Sequence, residues 1–476
     1  MPDPLPEAAM HANTDRLWDL VEAHAPQAIA LSDAVWAVPE LNFAETRSCA
    51  LHDRALRDAG FHVTPGIASL PTALLGEAGR DGPTIAFLGE YDALPGLSQQ
   101  AGATTHRPLP GDGNGHGCGH NLLGAASLLA ATALKAWLAE TGLPGRVRYY
   151  GCPAEEGGAG KAIMVRAGVF AGADAAITWH PGSFAMVLPP VSLASLRVDF
   201  IFAGRSAHAA AAPHLGRSAL DAAELMNIGV NYLREHMPPA ARVHYAYLDA
   251  GGSAPNVVPA RTTVAYSLRA PNLAEMHALA GRVRRIAEGA AMMTETTMTC
   301  AVVSSMANLL GNRPLEEAMQ AQFERLGPPP FTTADRAFAT AMRATLDTQQ
   351  IATVFRALNL PVRPDMAVCD TVIAHVPERG RAMMGSTDVG DVSWVVPTVQ
   401  ALGATSAVGT PLHSWQMTAQ GCSALAHTGM VHVAKVMAAT GAELIRNAAL
   451  LERVRATHAR QIARHPHISP MPSGLP

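Results

Sequence analysis

One arrangement recurs along this chain and narrows its folding choices more than any other. A short apolar run stops at Gly or Pro, and a side chain able to bind metal or move protons follows. Thr84–Leu88 leads to Glu90 and Asp92, Val147–Tyr150 to Glu155 and Glu156, and Ala175–Trp179 to His180. Thr405–Val408 leads through Gly409 and Pro411 to His413. Helical periodicity fills the intervals, notably Asn121–Thr141 and Lys161–Gly168. Short runs that are apolar throughout predict strands buried on both faces, and alternation with helices predicts an α/β fold. Its sheet is expected to be mostly parallel and covered by helices on both faces. Ligands collect at the carboxyl ends of such strands, so these side chains are expected to share one rim.

The pattern changes between about Ala194 and Val303. Leu196, Val198, Phe200 and Phe202 alternate as a half-buried strand, and a helix follows over Arg217–His236. Strands are expected at Val243–Leu248 and Thr262–Leu268, then a helix at Leu273–Met293 and a strand at Thr297–Val303. The order β-α-β-β-α-β is the split ferredoxin-like arrangement, an α+β insert. At 476 residues the chain exceeds one ordinary core. The expected division is therefore a catalytic domain in two parts, 1–193 and 306–476, interrupted by an inserted domain, 194–305. Before the first strand, helices are expected over Asp15–Val38, stopped by Pro39, and over Thr46–Ala59. Phe331–Asp391 reads as mixed helix and loop, and the His- and Pro-rich residues after Thr457 as a solvated tail.

Bulk properties exclude several roles. A formal charge of -4 without basic clusters argues against a nucleic-acid surface. The longest apolar stretch, Leu122–Leu138, carries Lys135 and reads as a buried helix, since a membrane span needs about 20 apolar residues. The N-terminus has no apolar signal core, and six cysteines lie scattered without framework spacing. Both point to reduced thiols and a cytoplasmic protein; five are expected in the core, with Cys118 set apart by its neighbours.

The sharpest motif is Gly115-His116-Gly117-Cys118-Gly119-His120-Asn121. Thiolate and imidazole are good ligands for zinc-like cations, and glycines let a backbone turn tightly around an ion. His116, Cys118 and His120 alternate, so in an extended loop they face one side together. Ala154-Glu155-Glu156-Gly157 sets two carboxylates side by side just past a strand; adjacent side chains point apart, so one can bind metal while the other faces substrate. His180 and His413 are each ambiguous alone, because a histidine beside Trp is often a satisfied core residue. Asp92 can ligate metal or orient a ligand, the second being favoured. No H-E-x-x-H, G-x-S-x-G or G-x-G-x-x-G pattern competes with this chemistry.

In this order, Glu90–Pro95, Gly115–Gly124, Gly151–Lys161, Thr178–Pro181, Pro213–Asp221, Gly251–Val258, Ser386–Trp394 and Gly409–Gln416 resemble a known family. It is the family of dinuclear-metal aminoacylases and carboxypeptidases that includes carboxypeptidase G and the auxin-conjugate hydrolases. Only about Gly327–Arg381 and the last twenty residues are loose. The resemblance implies two divalent ions per subunit, zinc or manganese, held by Cys118, His120, Glu156, His180 and His413. It makes Glu155 the general base, places Asp92 behind the metals, and makes the insert a lid and dimerisation domain. There His208 reaches the site of a second subunit to polarise the scissile carbonyl, while Asn256 and Arg269 hold the substrate's carboxylate. Glu90 departs from the family pattern, which commonly has Asp at that position. The implied activity is hydrolysis of an N-acyl amino acid, p-aminobenzoyl-glutamate foremost, with a dipeptidase as alternative. The implied partner is a second copy of the chain or a paralogous subunit; a non-catalytic metal-binding subunit is the reading from another class.

Overall fold

The computed structural model describes residues 7–111, 113–376 and 385–464. Among the described residues eleven strands follow one another: β1 (His62–Pro65), β2 (Leu74–Arg80), β3 (Thr84–Glu90), β4 (Gly145–Cys152), β5 (Ala175–Gly182), β6 (Met186–Val187), β7 (Ala194–Ala203), β8 (Arg242–Asp249), β9 (Arg261–Ala270), β10 (Thr297–Met306) and β11 (Thr398–Ala404). They build two sheets in two compact units. The described residues of the first unit are those up to Val191, 310–376 and 392–464. The second takes Ser192–Leu309 together with 385–391.

The first unit contains a seven-stranded sheet in the order β1-β2-β4-β3-β5-β11-β6. Its centre is parallel (β4 with β3, β3 with β5, β5 with β11), and antiparallel pairs close both edges. Every residue of β3 and β11 is buried, as parallel strands sandwiched between helix layers must be. Helix His120–Thr141 packs on β3 and against helices Glu7–Trp36 and Ala424–Arg446. By length and composition it could cross a membrane, yet 83% of its most apolar window is buried, so it serves as a core helix. Gly124 lets it approach β3 closely: a Cβ there would lie 2.6 Å from the Glu90 carbonyl oxygen.

The second unit has the antiparallel order β10-β7-β9-β8 with two helices, Ala219–Leu233 and Leu273–Met293, between its strands. Leu196, Val198, Phe200 and Phe202 bury one face of β7, as their alternation requires. Asn272 caps the second helix by accepting from Glu275 N–H. Residues 385–391 join this unit through a hydrogen bond from Leu193 N–H to the Gly385 carbonyl and one from Ala307 N–H to Asp391 Oδ2. Such a return is a tertiary event that local pattern does not announce.

Four expectations need correction. The strand placed at Thr405–Val408 lies at Thr398–Ala404 instead, because Gln400 and Gly403 hide a buried strand from an apolar-run reading. Thr405 and Ser406 both donate to the Gly182 carbonyl, folding the chain away from the sheet. The helix expected from Arg217 starts at Ala219, behind the Ser218 cap. His458 belongs to helix Ala448–Arg464 and reaches the Ser393 carbonyl, so it is not a solvated tail residue; the residues after 464 lie outside those described. Finally, Cys422 is only partly buried, whereas the other cysteines are buried, and all six are free thiols.

Candidate metal centre

The recurring strand-then-polar pattern brings five sequence-distant segments of the first unit together. Glu90 ends β3, and Asp92 follows it. His180 sits near the end of β5, Glu155 and Glu156 just beyond β4, and His413 in the loop beyond β11. Cys118 and His120 flank Gly119, whose left-handed backbone (φ 74) turns the loop into helix His120–Thr141. The loop before it is not extended, because Gly119 N–H closes a turn on the His116 carbonyl, and this undoes the expected one-sided array. His116 points away, its Nε2 3.1 Å from the Val35 carbonyl, and burial lowers its pKa to about 3.

Donor atoms fall into sets within 4.8 Å of one another: Cys118, His120 and His180; Glu90, His120, Glu155 and His180; and Cys118, Glu156 and His413. Cys118 belongs to both a His120–His180 set and a Glu156–His413 set. Separations resolve the sets further. Two donors sharing a four-coordinate ion at 2.0–2.2 Å lie roughly 3.3–3.6 Å apart. His413 Nε2 is 3.3 Å from Glu156 Oε1, and His120 Nε2 is 3.3 Å from Glu90 Oε2. Between the two sets the spacing opens, with His120 Nε2 4.0 Å from Glu156 Oε1. The geometry fits two neighbouring cations with a common thiolate.

Polar bookkeeping fits the same reading. His120 Nε2 and Glu90 Oε2 are buried without a hydrogen-bond partner, an expensive state unless something else satisfies them. The other ring nitrogens are committed. His120 Nδ1–H donates to Asp92 Oδ1 (2.9 Å) and His180 Nδ1–H to Gln400 Oε1 (3.1 Å). This leaves each Nε2 facing the cluster, the usual arrangement for an imidazole ligand. Asp92, 1% exposed, also accepts from Glu156 N–H through Oδ2 (2.9 Å), so one carboxylate orients two donors.

Electrostatics point the same way. For His120, burial pushes the pKa down, but Cys118 and Asp92 raise it well above its ordinary value. His413 is raised to about 10, chiefly by hydrogen bonds to Cys118 and Glu156. Glu90 is driven up by burial, yet Lys161, His180 and His120 hold it down at about 2. Anionic groups thus dominate the cluster and draw in positive charge. His413 also has a left-handed backbone (φ 56), a strain of the kind concentrated at functional sites.

Sequence reasoning missed Gln400 and Lys161. The signal for Gln400 was an amide inside the otherwise apolar run Thr398–Ala404. For Lys161 it was a lysine directly after the glutamate–glycine loop, and its side chain is fully buried. Three other expected residues lie in the second unit. His208 is exposed, with Nδ1 accepting from Ala210 and Ala211 N–H at 3.2 and 3.1 Å. Asn256 is exposed in a loop, and Arg269 stands near the end of β9 opposite Ser195 and Arg242.

Comparisons with known proteins agree with this chemistry. The model of peptidase family M20/M25/M40 matches residues 86–416. The chain is 43% identical over 466 residues to one of the subunits of the p-aminobenzoyl-glutamate hydrolase of Escherichia coli, covering 96% of this chain and 97% of that one. It is 31% identical to the Xaa-Arg dipeptidase of Mus musculus, covering 92% and 90% of the two chains. A solved dinuclear metal-binding M20 peptidase of Bacillus subtilis superposes with a TM-score of 0.53 at 19% identity, covering 87% and 99%.

Proposed function

The chain belongs to peptidase family M20/M25/M40 and is a metal-dependent amidohydrolase, and from that premise we propose its substrate and the work of each residue. The substrate is p-aminobenzoyl-glutamate, cleaved to p-aminobenzoate and glutamate. The observation that carries the site reading is the pair of donor sets sharing Cys118, with Glu155 among the donors that surround His120 and His180.

Cys118, His120 and His180 would hold one ion, zinc or manganese, and Cys118, Glu156 and His413 the other. Such ions lower the pKa of a bound water and polarise a carbonyl. Glu155 takes the proton from the attacking water and returns it to the leaving amine nitrogen. Asp92 and Gln400 keep His120 and His180 in the tautomers that ligate. In the second unit, His208 accepts at Nδ1, which leaves its proton on Nε2, the donor a developing oxyanion needs. Its assignment is to the carbonyl bound by a partner subunit. Asn256 and Arg269 are assigned to the substrate's carboxylate, which a guanidinium fork suits.

A cavity of ≈ 640 Å³ is bounded by Pro181, Leu402, Pro411 and Leu412, the first and last adjoining His180 and His413. Among the described residues its lining has one acidic side chain, Asp347, and no Lys, Arg or His, which supports an uncharged acyl group there and a carboxylate elsewhere. Association through the second unit, and a cytoplasmic location for the reduced thiols, complete the proposal. The edge strand β8 supports the first, because Tyr245, Tyr247 and Leu248 are exposed on it.

The test is a hydrolysis screen with added zinc or manganese, scored for released amine. The protein is assayed alone and with a paralogous subunit. p-Aminobenzoyl-glutamate should lead a panel of N-acyl amino acids and Xaa-Arg dipeptides. Preference for the dipeptides would overturn the substrate assignment, and no turnover under any condition would favour a non-catalytic subunit.

A further inference from the structure

Glu90 and Lys161 form an ion pair that the proposed reaction does not use. Lys161 Nζ lies 2.6 Å from Glu90 Oε1, and both side chains are 0% exposed. A fully buried pair contributes little net stability over an apolar pair of similar size, so the fold alone gives no reason to keep it. Its other oxygen supplies one. Glu90 Oε2 is 3.3 Å from His120 Nε2 and 3.6 Å from His180 Nε2. Neither Glu90 Oε2 nor His120 Nε2 makes a hydrogen bond despite being neighbours.

Each histidine commits Nδ1 to Asp92 or Gln400 and turns Nε2 toward Glu90. Two imidazole nitrogens and one carboxylate oxygen then converge on one point, as donors around a cation do, and Lys161 is already engaged on the opposite oxygen. The separations of 3.3 and 3.6 Å are those of donors bound to a single ion, about 3.3–3.6 Å for four-coordination.

We propose that Glu90 is itself a ligand of the ion held by His120 and His180, binding through Oε2 alone because Lys161 reserves Oε1. The proposal rests on the metal-centre reading above and adds a carboxylate to it. The ion in this set then has an oxygen donor beside its imidazoles and thiolate, and the buried lysine offsets the extra negative charge.

The experiment uses the full chain, stripped of metal by chelation and titrated with zinc or cobalt(II). Metal content and cobalt absorption spectra are the readouts, on wild type, Glu90→Gln, Lys161→Met and the double variant. Glu90→Gln alone strands a buried lysine and can fail to fold, whereas the double variant removes both charges. Wild type and Lys161→Met should take up two ions. Both variants lacking Glu90 should lose affinity for one ion by more than ~100-fold, beyond the 10–100-fold typical of a residue that only orients a ligand. The thiolate-to-cobalt band should remain, reporting the ion still held at Cys118. Two ions bound by the double variant with wild-type affinity, or a loss within the 10–100-fold range, would overturn ligation by Glu90. A wild type that binds no ion would overturn the metal centre as well.

Discussion

Asp92 offers the most demanding test of how the candidate centre is oriented. Its two oxygens accept separate hydrogen bonds of 2.9 Å, from His120 Nδ1–H and from Glu156 N–H, at a site 1% exposed. Asp92→Asn preserves shape but leaves a single acceptor oxygen. Whichever way the amide turns, its NH₂ faces a donor, so one buried N–H loses its partner. Leaving one such group unsatisfied costs about 1–3 kcal/mol. Relief of repulsion between Asp92 and the nearby carboxylates offsets part of this in the metal-free protein. The metal-free variant should therefore be destabilised by about 1–2 kcal/mol, read from urea unfolding. Metal affinity should fall about 10–100-fold, because either His120 or the Glu156 backbone loses its anchor. Competition against a chromophoric chelator measures that directly. A dissociation constant within about threefold of wild type, with an unchanged unfolding curve, would refute the orienting role.

Three further outcomes are expected. Cys118→Ala removes the donor common to both sets and should weaken both ions together, whereas His413→Ala should weaken only one; metal content after gel filtration separates them. Glu155→Ala should keep its metal and lose about 10²–10⁴-fold in kcat, the usual worth of a general base, and substantial residual turnover would reject the assignment. His52 and His432 are buried and their pKa values lowered to about 4. The unfolded chain takes up these protons first as pH falls from about 6.5 to 4, so stability should decline through that window by up to about 3 kcal/mol per histidine. His432→Gln should flatten part of the decline in urea melts across that range.

Much of the fold was legible because its signals are local. Whole-run burial of β3 and of Ala175–Trp179 in β5 shows directly in sequence, and the alternation in β7 equally so. The parallel centre follows from runs of this kind separated by helices. Misreadings arose where burial did not correspond to apolarity. β11 carries Gln400 because its side chain has a buried partner in His180, so a functional contact disguised a core strand. His116 misled for the opposite reason: its spacing matched Cys118 and His120, but the turn that Gly119 N–H closes on the His116 carbonyl breaks the extended backbone such alternation assumes.

The same contrast explains which parts of the site could be read. Residue types with metal chemistry declare themselves in the dense motifs, so Cys118, His120 and Glu156 stood out, whereas His180 and His413, ambiguous alone, joined them only through the family resemblance. What the sequence cannot carry is pairing. Lys161 lies 71 positions from Glu90, and Gln400 lies 220 from His180, separations that only strand order closes. β3 sits between β4 and β5, and β11 beside β5, so the ends of four strands deliver their side chains to one rim. Lysine and glutamine have no preferred metal chemistry of their own; they matter here by fixing the charge of one donor and the tautomer of another. Their contribution exists only in the assembled sheet, which is why metal affinity, rather than fold stability alone, is the property that should respond most sharply when they are changed.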